Sequence, residues 1–451
     1  MSDPTSEPTA TADPGSRSSA AAGATRRAPF SDNPVVGERG QRTQQRILAA
    51  ALDVLGEVGY DQCSIERITS AAGCARASFY QYFSGKADVF RHLAGRVAVQ
   101  LDAAIDELEP ITPDDHGWAS LRAWVGRYAE VYSRHEPVFH TFQAAAESDQ
   151  SLAGDFVRTG RRYTMGMQAR VGSSTLTASE IEAVVGLLQR CLPRMLDDVF
   201  ILHRAAPKSF PLPQVLDAYT DVTHRTLFGL LPAVNVHAGP QPRPPRLPFG
   251  PTMRAALERD DEPDEERREG PSRDALLAAG REVFMSHGYH GARIAAIVSA
   301  AGVSHGTFYH YFPNKEQLAH ELATEAMRSL STLLTSIPEP GTPTDGTGAL
   351  RAWLHDYDRA QASEAALLRV WVDAALQDRS LMTESAPVLD WGRRQMARYL
   401  RSRDFGDVET DAVVMLALLD GLGSERDPEQ TIDAAVRVVE RGLFGDTASP
   451  R

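Results

Sequence analysis

Residues 301–315 read Ala301-Gly302-Val303-Ser304-His305-Gly306-Thr307-Phe308-Tyr309-His310-Tyr311-Phe312-Pro313-Asn314-Lys315, and residues 72–86 read Ala72-Gly73-Cys74-Ala75-Arg76-Ala77-Ser78-Phe79-Tyr80-Gln81-Tyr82-Phe83-Ser84-Gly85-Lys86. The two stretches agree at Ala-Gly, Phe-Tyr-x-Tyr-Phe and Lys, with a fixed offset of 229 positions (315 − 86). The same offset relates Gly59-Tyr60 to Gly288-Tyr289 and Leu121-Arg122-Ala123-Trp124 to Leu350-Arg351-Ala352-Trp353. It still holds at Ala145-Ala146-x-x-Asp149-x-Ser151-Leu152 against Ala374-Ala375-x-x-Asp378-x-Ser380-Leu381. Across 43–90 against 272–319, 17 of 48 ungapped positions are identical. Shared helical composition does not keep register that far, so the chain is an internal duplication. The register slips only late, where Leu227-Phe228-Gly229 matches Leu443-Phe444-Gly445 at an offset of 216 (443 − 227). The second copy is thus shorter in its last third by about thirteen residues (229 − 216).

Working outward from the motif, Ile47, Leu48, Ala51, Leu52 and Leu55 fall on one face of a helix, and Leu276, Leu277, Gly280 and Phe284 repeat the stripe. Gly59 and Gly288 are placed to stop that helix, because glycine accepts the left-handed conformation of a C-terminal cap. A short helix follows from Ser64 to Ala72, with the Ser64 hydroxyl as N-cap and Ile65 and Ile68 turned inward. Gly73 makes a tight turn, and a third short helix runs from Ala75 to about Gln81. Two short helices joined by a turn of three or four residues containing Gly form a helix-turn-helix, whose second helix enters the DNA major groove.

Gly-Tyr, then Ala-Ala-Gly, then Phe-Tyr-x-Tyr-Phe-x-x-Lys resembles the N-terminal domain of TetR-family regulators, the 301–315 copy more closely than the 72–86 copy. The motifs cover about fifty residues of each half. The resemblance implies an all-α chain of two tandem modules. Each would be a three-helix DNA-binding domain followed by a helical-bundle domain for ligand binding and dimerisation. It implies that Ser64, Arg76, Ser78, Tyr80 and Gln81 face DNA in the first copy, with Lys86 on a phosphate. In the second copy the matching set is Arg293, Ser304, His305, Thr307, Tyr309, His310 and Lys315. Arg76 is the residue best suited to read a base, since its planar fork matches guanine O6 and N7. Hydroxyls such as Ser78 and Thr307 suit phosphate oxygens, which position without specifying. Two departures from the family pattern stand out: Ala75 stands where the second copy has the expected Ser304, and Ala292-Arg293 replaces the Cys63-Ser64 of the first, with its Ser64 hydroxyl, by a weaker cap. One head is therefore expected to bind more weakly than the other.

Phe79, Tyr82, Phe83 and their counterparts have an ordinary explanation as core residues, and Tyr80 and Tyr309 can bury a ring while offering a hydroxyl. His287, His290, His305, His310 and His320 cluster in sequence, but no ligand spacing accompanies them, so no metal site is assigned. Gly85-Lys86 lacks the upstream glycine of a phosphate-binding loop, Tyr80 standing in its place. No nucleophile, dinucleotide or zinc-protease signature occurs, so no catalytic residue, cofactor or enzymatic activity is expected.

Composition sets the outer limits. With 451 residues, 42% hydrophobic and 24% charged, the chain is a multidomain globular protein. Three unpaired cysteines, Cys63, Cys74 and Cys191, fit a reducing cytoplasm. No apolar run is long enough for a membrane span, and the first forty residues lack the pattern of a signal peptide. The net charge of −13 argues only weakly against nucleic acid, since the acidic stretch from Glu258 to Glu269 can lie away from the phosphates.

The expected organisation is a disordered tail (1–37), a head (38–90), a sensor domain (91–232), a Pro- and charge-rich linker (233–270), a second head (271–319) and a second sensor domain (320–446). Aromatic and methionine side chains make the sensors candidates for an apolar small-molecule effector. The residues singled out are Trp124, Tyr128, His140, Phe142, Tyr163 and Met167, with Trp353, Tyr357, Trp371 and Trp391 in the second copy. His140, Gln143, Arg369 and Asp373 are candidates for the few polar groups of such a pocket. By the resemblance, helices at 179–202, 214–231, 410–422 and 427–443 would pack as a four-helix interface. A linker of about 38 residues reaches ~35 Å, enough for the two halves of one chain to pair on an operator in double-stranded DNA. The alternatives are a homodimer of whole chains with one degenerate pair of heads, and a ligand-binding or interaction protein that no longer binds DNA.

Overall fold

The computed structural model describes residues 37–229, 244–249 and 270–445, apart from 149, 208–209, 339–345, 362–363, 365, 378–381, 404 and 424–427. The expected tail and most of the expected linker lie outside the described residues. The first half contains α1 (Glu38–Gln62), α2 (Ile65–Ala71), α3 (Arg76–Tyr82), α4 (Lys86–Asp106), α5 (Asp115–Ser148), α6 (Gln150–Gln168), α7 (Ala178–Ala205) and α8 (Leu212–Phe228). The second contains α9 (Pro271–Gly291), α10 (Ile294–Ala301), α11 (His305–Tyr311), α12 (Lys315–Thr335), α13 (Gly346–Ala360), α14 (Ala366–Gln377), α15 (Met382–Tyr399), α16 (Val408–Asp420) and α17 (Pro428–Arg437). A π-helical turn, Val438–Leu443, extends α17. The fold is all-α: among the described residues the one β contact is an isolated bridge between Ile111 and Val171.

Local chemistry explains the elements of each head. Gly59 (φ 68°) and Gly288 (φ 65°) break the first helix where expected, and one more turn follows each break. Gly73 and Gly302, at φ 60° and 66°, turn the chain between the two short helices. The Ser64 hydroxyl accepts from the Arg67 amide at 3.2 Å, and Ser304 accepts from Thr307 at 3.1 Å. Ala75 and Arg293 give their helices no side-chain cap. Of the two short helices in each head one is therefore uncapped by a side chain, the third helix in the first head and the second helix in the other. Phe79, Phe83, Phe308 and Phe312 are fully buried and hold the short helices onto the first, each contributing about 1.5–3 kcal/mol.

The halves diverge beyond the heads. Helix α5 runs 34 residues with a kink at His135, beside Pro137, whose missing N–H breaks the helical ladder. Its second-half counterpart is split into α13 and α14. The shortening falls in the penultimate helix, which has 28 residues in α7 and 13 in α16.

Helices α7 and α8 pack against α16, α17 and the 438–443 turn, and α15 adds to the contact with α7. The apolar side of this contact is fully buried at Val184, Leu187, Val222, Val413, Val438 and Val439. The helices cross closely at Gly442, where an added Cβ would stand 2.8 Å from the Val222 carbonyl. The Arg225 guanidinium is buried there, donating to the Gly442 carbonyl at 2.7 Å and standing 3.8 Å from Asp411. Arg190 donates to the Gly421 carbonyl at 3.3 Å, and Arg437 pairs with Glu180.

A second buried ionic cluster joins the halves. Arg369 on α14 donates to Asp197 and Asp198 on α7, both at 2.9 Å, and to Asp420 at 3.3 Å. Asp197 also takes bonds from Tyr132 and, at 3.0 Å, from His140. Burial alone would raise Asp197, but His140, Arg369 and Arg194 outweigh it and hold the carboxyl down at about 2. Burial pushes Asp198 well above the carboxylate range, with Asp420 and Asp197 adding to the effect.

Candidate nucleic-acid interface and effector cavity

The outer faces of α3 and α11 carry the side chains expected on DNA. Arg76, Gln81, Ser304, His305 and His310 are exposed, Ser64, Ser78, Tyr80 and Thr307 are half-buried, and Tyr309 is 55% exposed. Arg293 is exposed at the start of α10, the short helix before the second turn. Tyr80 and Tyr309 meet the buried Phe79 and Phe308 edge-on, with centroids 5.5 Å and 5.4 Å apart, which orients their rings. Arg76 lies 3.4 Å from Glu66 and beside the Tyr80 ring, so it would exchange a solvent-exposed carboxylate for any DNA partner. Such exposed pairs are worth no more than about 1 kcal/mol, a small barrier to that exchange.

The two lysines have an internal role that the sequence reading did not include. Lys86 Nζ donates to the Tyr60 carbonyl at 2.8 Å and sits 4.0 Å over the Tyr60 ring. Lys315 Nζ donates to the Tyr289 and Ala292 carbonyls at 2.7 Å and 3.1 Å, over the Tyr289 ring at 4.4 Å. Gly-Tyr and the distant Lys thus form one device: the ammonium bonds carbonyls at the negative end of the first helix, where the Tyr60 carbonyl also accepts from the Cys63 amide. Each lysine is half-buried, and burial lowers the pKa of Lys315. A phosphate would have to share an ammonium already bonded within the head.

Of the expected effector residues, Trp124, Tyr163 and Met167 come together around a cavity. Ile111, Leu121, Val185, Leu188, Tyr219 and Leu227 complete its apolar wall. Tyr128 stands behind it, with its ring 6.0 Å from Trp124 and 6.1 Å from Tyr163. Phe142 packs on Phe90 of α4 at 6.1 Å, at the joint between head and sensor. The four second-half residues do not converge. Trp353 stacks on Tyr357 at 5.4 Å, Trp371 lies between Tyr289 and His320 at its own head–sensor joint, and Trp391 is half-buried on α15.

His140 and Arg369 are not pocket groups: both are committed to Asp197 at the contact between the halves. The side chains of Gln143 and Asp373 lie outside the described set. A signal for this was present in the sequence, since His140 and Arg369 are equivalent positions at the repeat offset (369 − 140 = 229). Among the described residues no cluster of His, Cys, Asp or Glu could hold a metal ion, and no helix is long and apolar enough to cross a membrane.

Two three-helix units, each exposing the polar face of its third helix, define a double-headed helix-turn-helix protein. Comparison with known proteins makes the class specific. The family described as bacterial regulatory proteins, tetR family, matches residues 47–93 and again 276–322. The chain carries two TetR-family DNA-binding domains in tandem and belongs with the helix-turn-helix transcriptional regulators. It is similar to the transcriptional regulator EthR of Mycobacterium tuberculosis, 24% identical over 207 residues, covering 42% of this chain and 93% of EthR. It is 29% identical over 147 residues to the transcriptional repressor AcnR of Corynebacterium efficiens, covering 32% of this chain and 72% of that protein. Over 48 residues it is 44% identical to UidR of Escherichia coli K12, covering 11% and 24% respectively.

Proposed function

We propose that this chain is a cytoplasmic, effector-responsive transcriptional repressor. Its two unlike heads would grip one operator as an intramolecular pseudo-dimer. The observation that carries this reading is the packing of α7 and α8 on α16 and α17, the last two helices of each half. One chain thereby supplies both sides of a buried interface. We assign the heads to 38–90 and 271–319, the sensors to 91–232 and 320–446, the linker to 233–270 and the tail to 1–37. Helices α4 and α12 cross the head–sensor boundaries, so a displaced sensor carries its head with it. The DNA-facing set is Ser64, Arg76, Ser78, Tyr80, Gln81 and Lys86 with Arg293, Ser304, His305, Thr307, Tyr309, His310 and Lys315.

Because Arg76-Ala77-Ser78 and His305-Gly306-Thr307 differ, the preferred operator is asymmetric, with half-sites about one helical turn (~34–36 Å) apart. Light scattering of the operator complex should give one chain per duplex. Two chains on a perfect inverted repeat would overturn the reading. Arg76→Ala should cost about 1–3 kcal/mol of binding, confined to one half-site in footprinting.

The effector would act from the first-half cavity, whose walls come from α5, α6, α7 and α8. Helix α6 approaches α4 closely at Gly166, where an added Cβ would stand 2.6 Å from Ile105. Gly166→Ala should therefore force α6 and α4 apart, at about 1–3 kcal/mol of stability. It should weaken operator binding without effector, as read by gel shift; unchanged binding by a measurably destabilised variant would refute this route.

A further inference from the structure

We infer that the first-half cavity is a site for a neutral, mainly apolar molecule bearing a hydrogen-bond acceptor such as a ketone, ester or amide carbonyl, which takes bonds from Trp124 Nε1 and the Tyr163 hydroxyl. The inference rests on the effector-responsive reading above and gives that effector a chemistry. Both residues line the cavity, both are almost completely buried, and neither donor has a hydrogen-bond partner. Leaving a buried donor unmade is unfavourable, so two at one cavity mark a place where an acceptor is missing. Burial holds the Tyr163 hydroxyl far above its usual pKa, which keeps the proton on the oxygen.

The other polar groups of the lining are already engaged. Gln189 accepts from Thr164 at 2.6 Å and donates to the Gly160 carbonyl at 3.3 Å. Tyr219 donates to the Leu188 carbonyl and Thr223 to the Tyr219 carbonyl, each at 2.8 Å. The two orphan donors are therefore the groups left to orient a ligand. No charged side chain lines the cavity, so a carboxylate or phosphate would be buried there without a counter-charge. The cavity is about 10 Å³, room for one water, so an organic ligand must part the helices around it. That expansion presses α6 toward its close contact with α4 at Gly166 and Ile105, the route to the first head.

The test uses the purified full chain and three probes of matched shape: 4-phenyl-2-butanone, butylbenzene and 4-phenylbutanoate. Calorimetry should show the ketone binding at least about tenfold more tightly than either of the others. Tyr163→Phe should weaken the ketone about tenfold and leave butylbenzene unchanged. Because it removes an unsatisfied hydroxyl, it should melt no lower than the parent. Trp124→Phe should act on the ketone in the same direction. Equal affinity for ketone and hydrocarbon, tighter binding of the carboxylate, a ketone indifferent to both variants, or no binding of any probe at millimolar concentration overturns the inference, the last meaning a single trapped water. A gel shift on the same samples separates the two claims. Ketone bound with the operator retained refutes the effector switch and leaves the ligand class standing. Release of the operator by hydrocarbon or carboxylate as readily as by ketone refutes the ligand class and leaves the switch.

Discussion

Replacing Arg369 by alanine should destabilise the chain by about 3–5 kcal/mol and should uncouple its two halves. The guanidinium stands between Asp197 and Asp198 of one half and Asp420 of its own, with all four side chains largely out of water. Removing it leaves like charges facing one another in a low-dielectric contact, and breaking a buried pair by losing one partner is costly for that reason. His140 and Arg194 still face Asp197, and burial already favours the neutral form of Asp198, so the unrelieved charge falls mainly on Asp420. Asp198 Oδ2 is already without a hydrogen-bond partner. Neutralising the Asp420 charge by adding Asp420→Asn to Arg369→Ala should recover part of the loss, a non-additive result that a double-mutant cycle in urea would read. A loss below about 1 kcal/mol for Arg369→Ala would mean that the cluster is solvated and holds nothing together. If the proposed pseudo-dimer sets the spacing of the heads through this contact, operator affinity should fall with the same variant.

This cluster also marks where sequence reasoning stops. The heads were legible because their chemistry is local. A hydroxyl at Ser64 or Ser304 bonds an amide three residues on, and Gly73 or Gly302 turns at a positive φ wherever it is placed. The weaker cap at Ala292-Arg293 could be read for the same reason. Lys86 and Tyr60 were both recognised as motif residues, yet their bond spans 26 positions and nothing in either residue's type announces it. The sensors obey weaker rules still. Any apolar side chain of suitable volume fills a helical core, so periodicity identified helices without saying which aromatic residues converge. Trp124 and Tyr163 meet across α5 and α6, whereas Trp353, Trp371 and Trp391 go to three separate places. Arg369 and Asp197 are 172 positions apart and have no pattern in common. Only the repeat offset, which aligns Arg369 with His140, pointed to the place where both are used.

The largest effect on function should come from reversing the charge of a single head. Glutamates introduced at His305 and Tyr309 lie one turn apart on the exposed face of α11, outside the core. Stability should change by no more than about 0.5 kcal/mol, as for other surface substitutions. Facing phosphates, the two carboxylates would repel the DNA and leave the first head to bind alone. A second linked contact multiplies affinity by roughly 10²–10⁴, so operator binding should weaken by a factor in that range. The slope of affinity against salt should flatten as phosphate contacts are lost. Arg76→Glu with Gln81→Glu should do the same from the other side, and the two pairs combined should leave only non-specific binding. The mirror experiment carries the discrimination. If whole chains paired so that first heads gripped the operator together, His305→Glu with Tyr309→Glu would change affinity only a few-fold, while Arg76→Glu with Gln81→Glu would abolish it. A loss of at least about tenfold from either pair is what a single chain with two working, unlike heads requires, and an affinity left unchanged by one of the pairs would refute it.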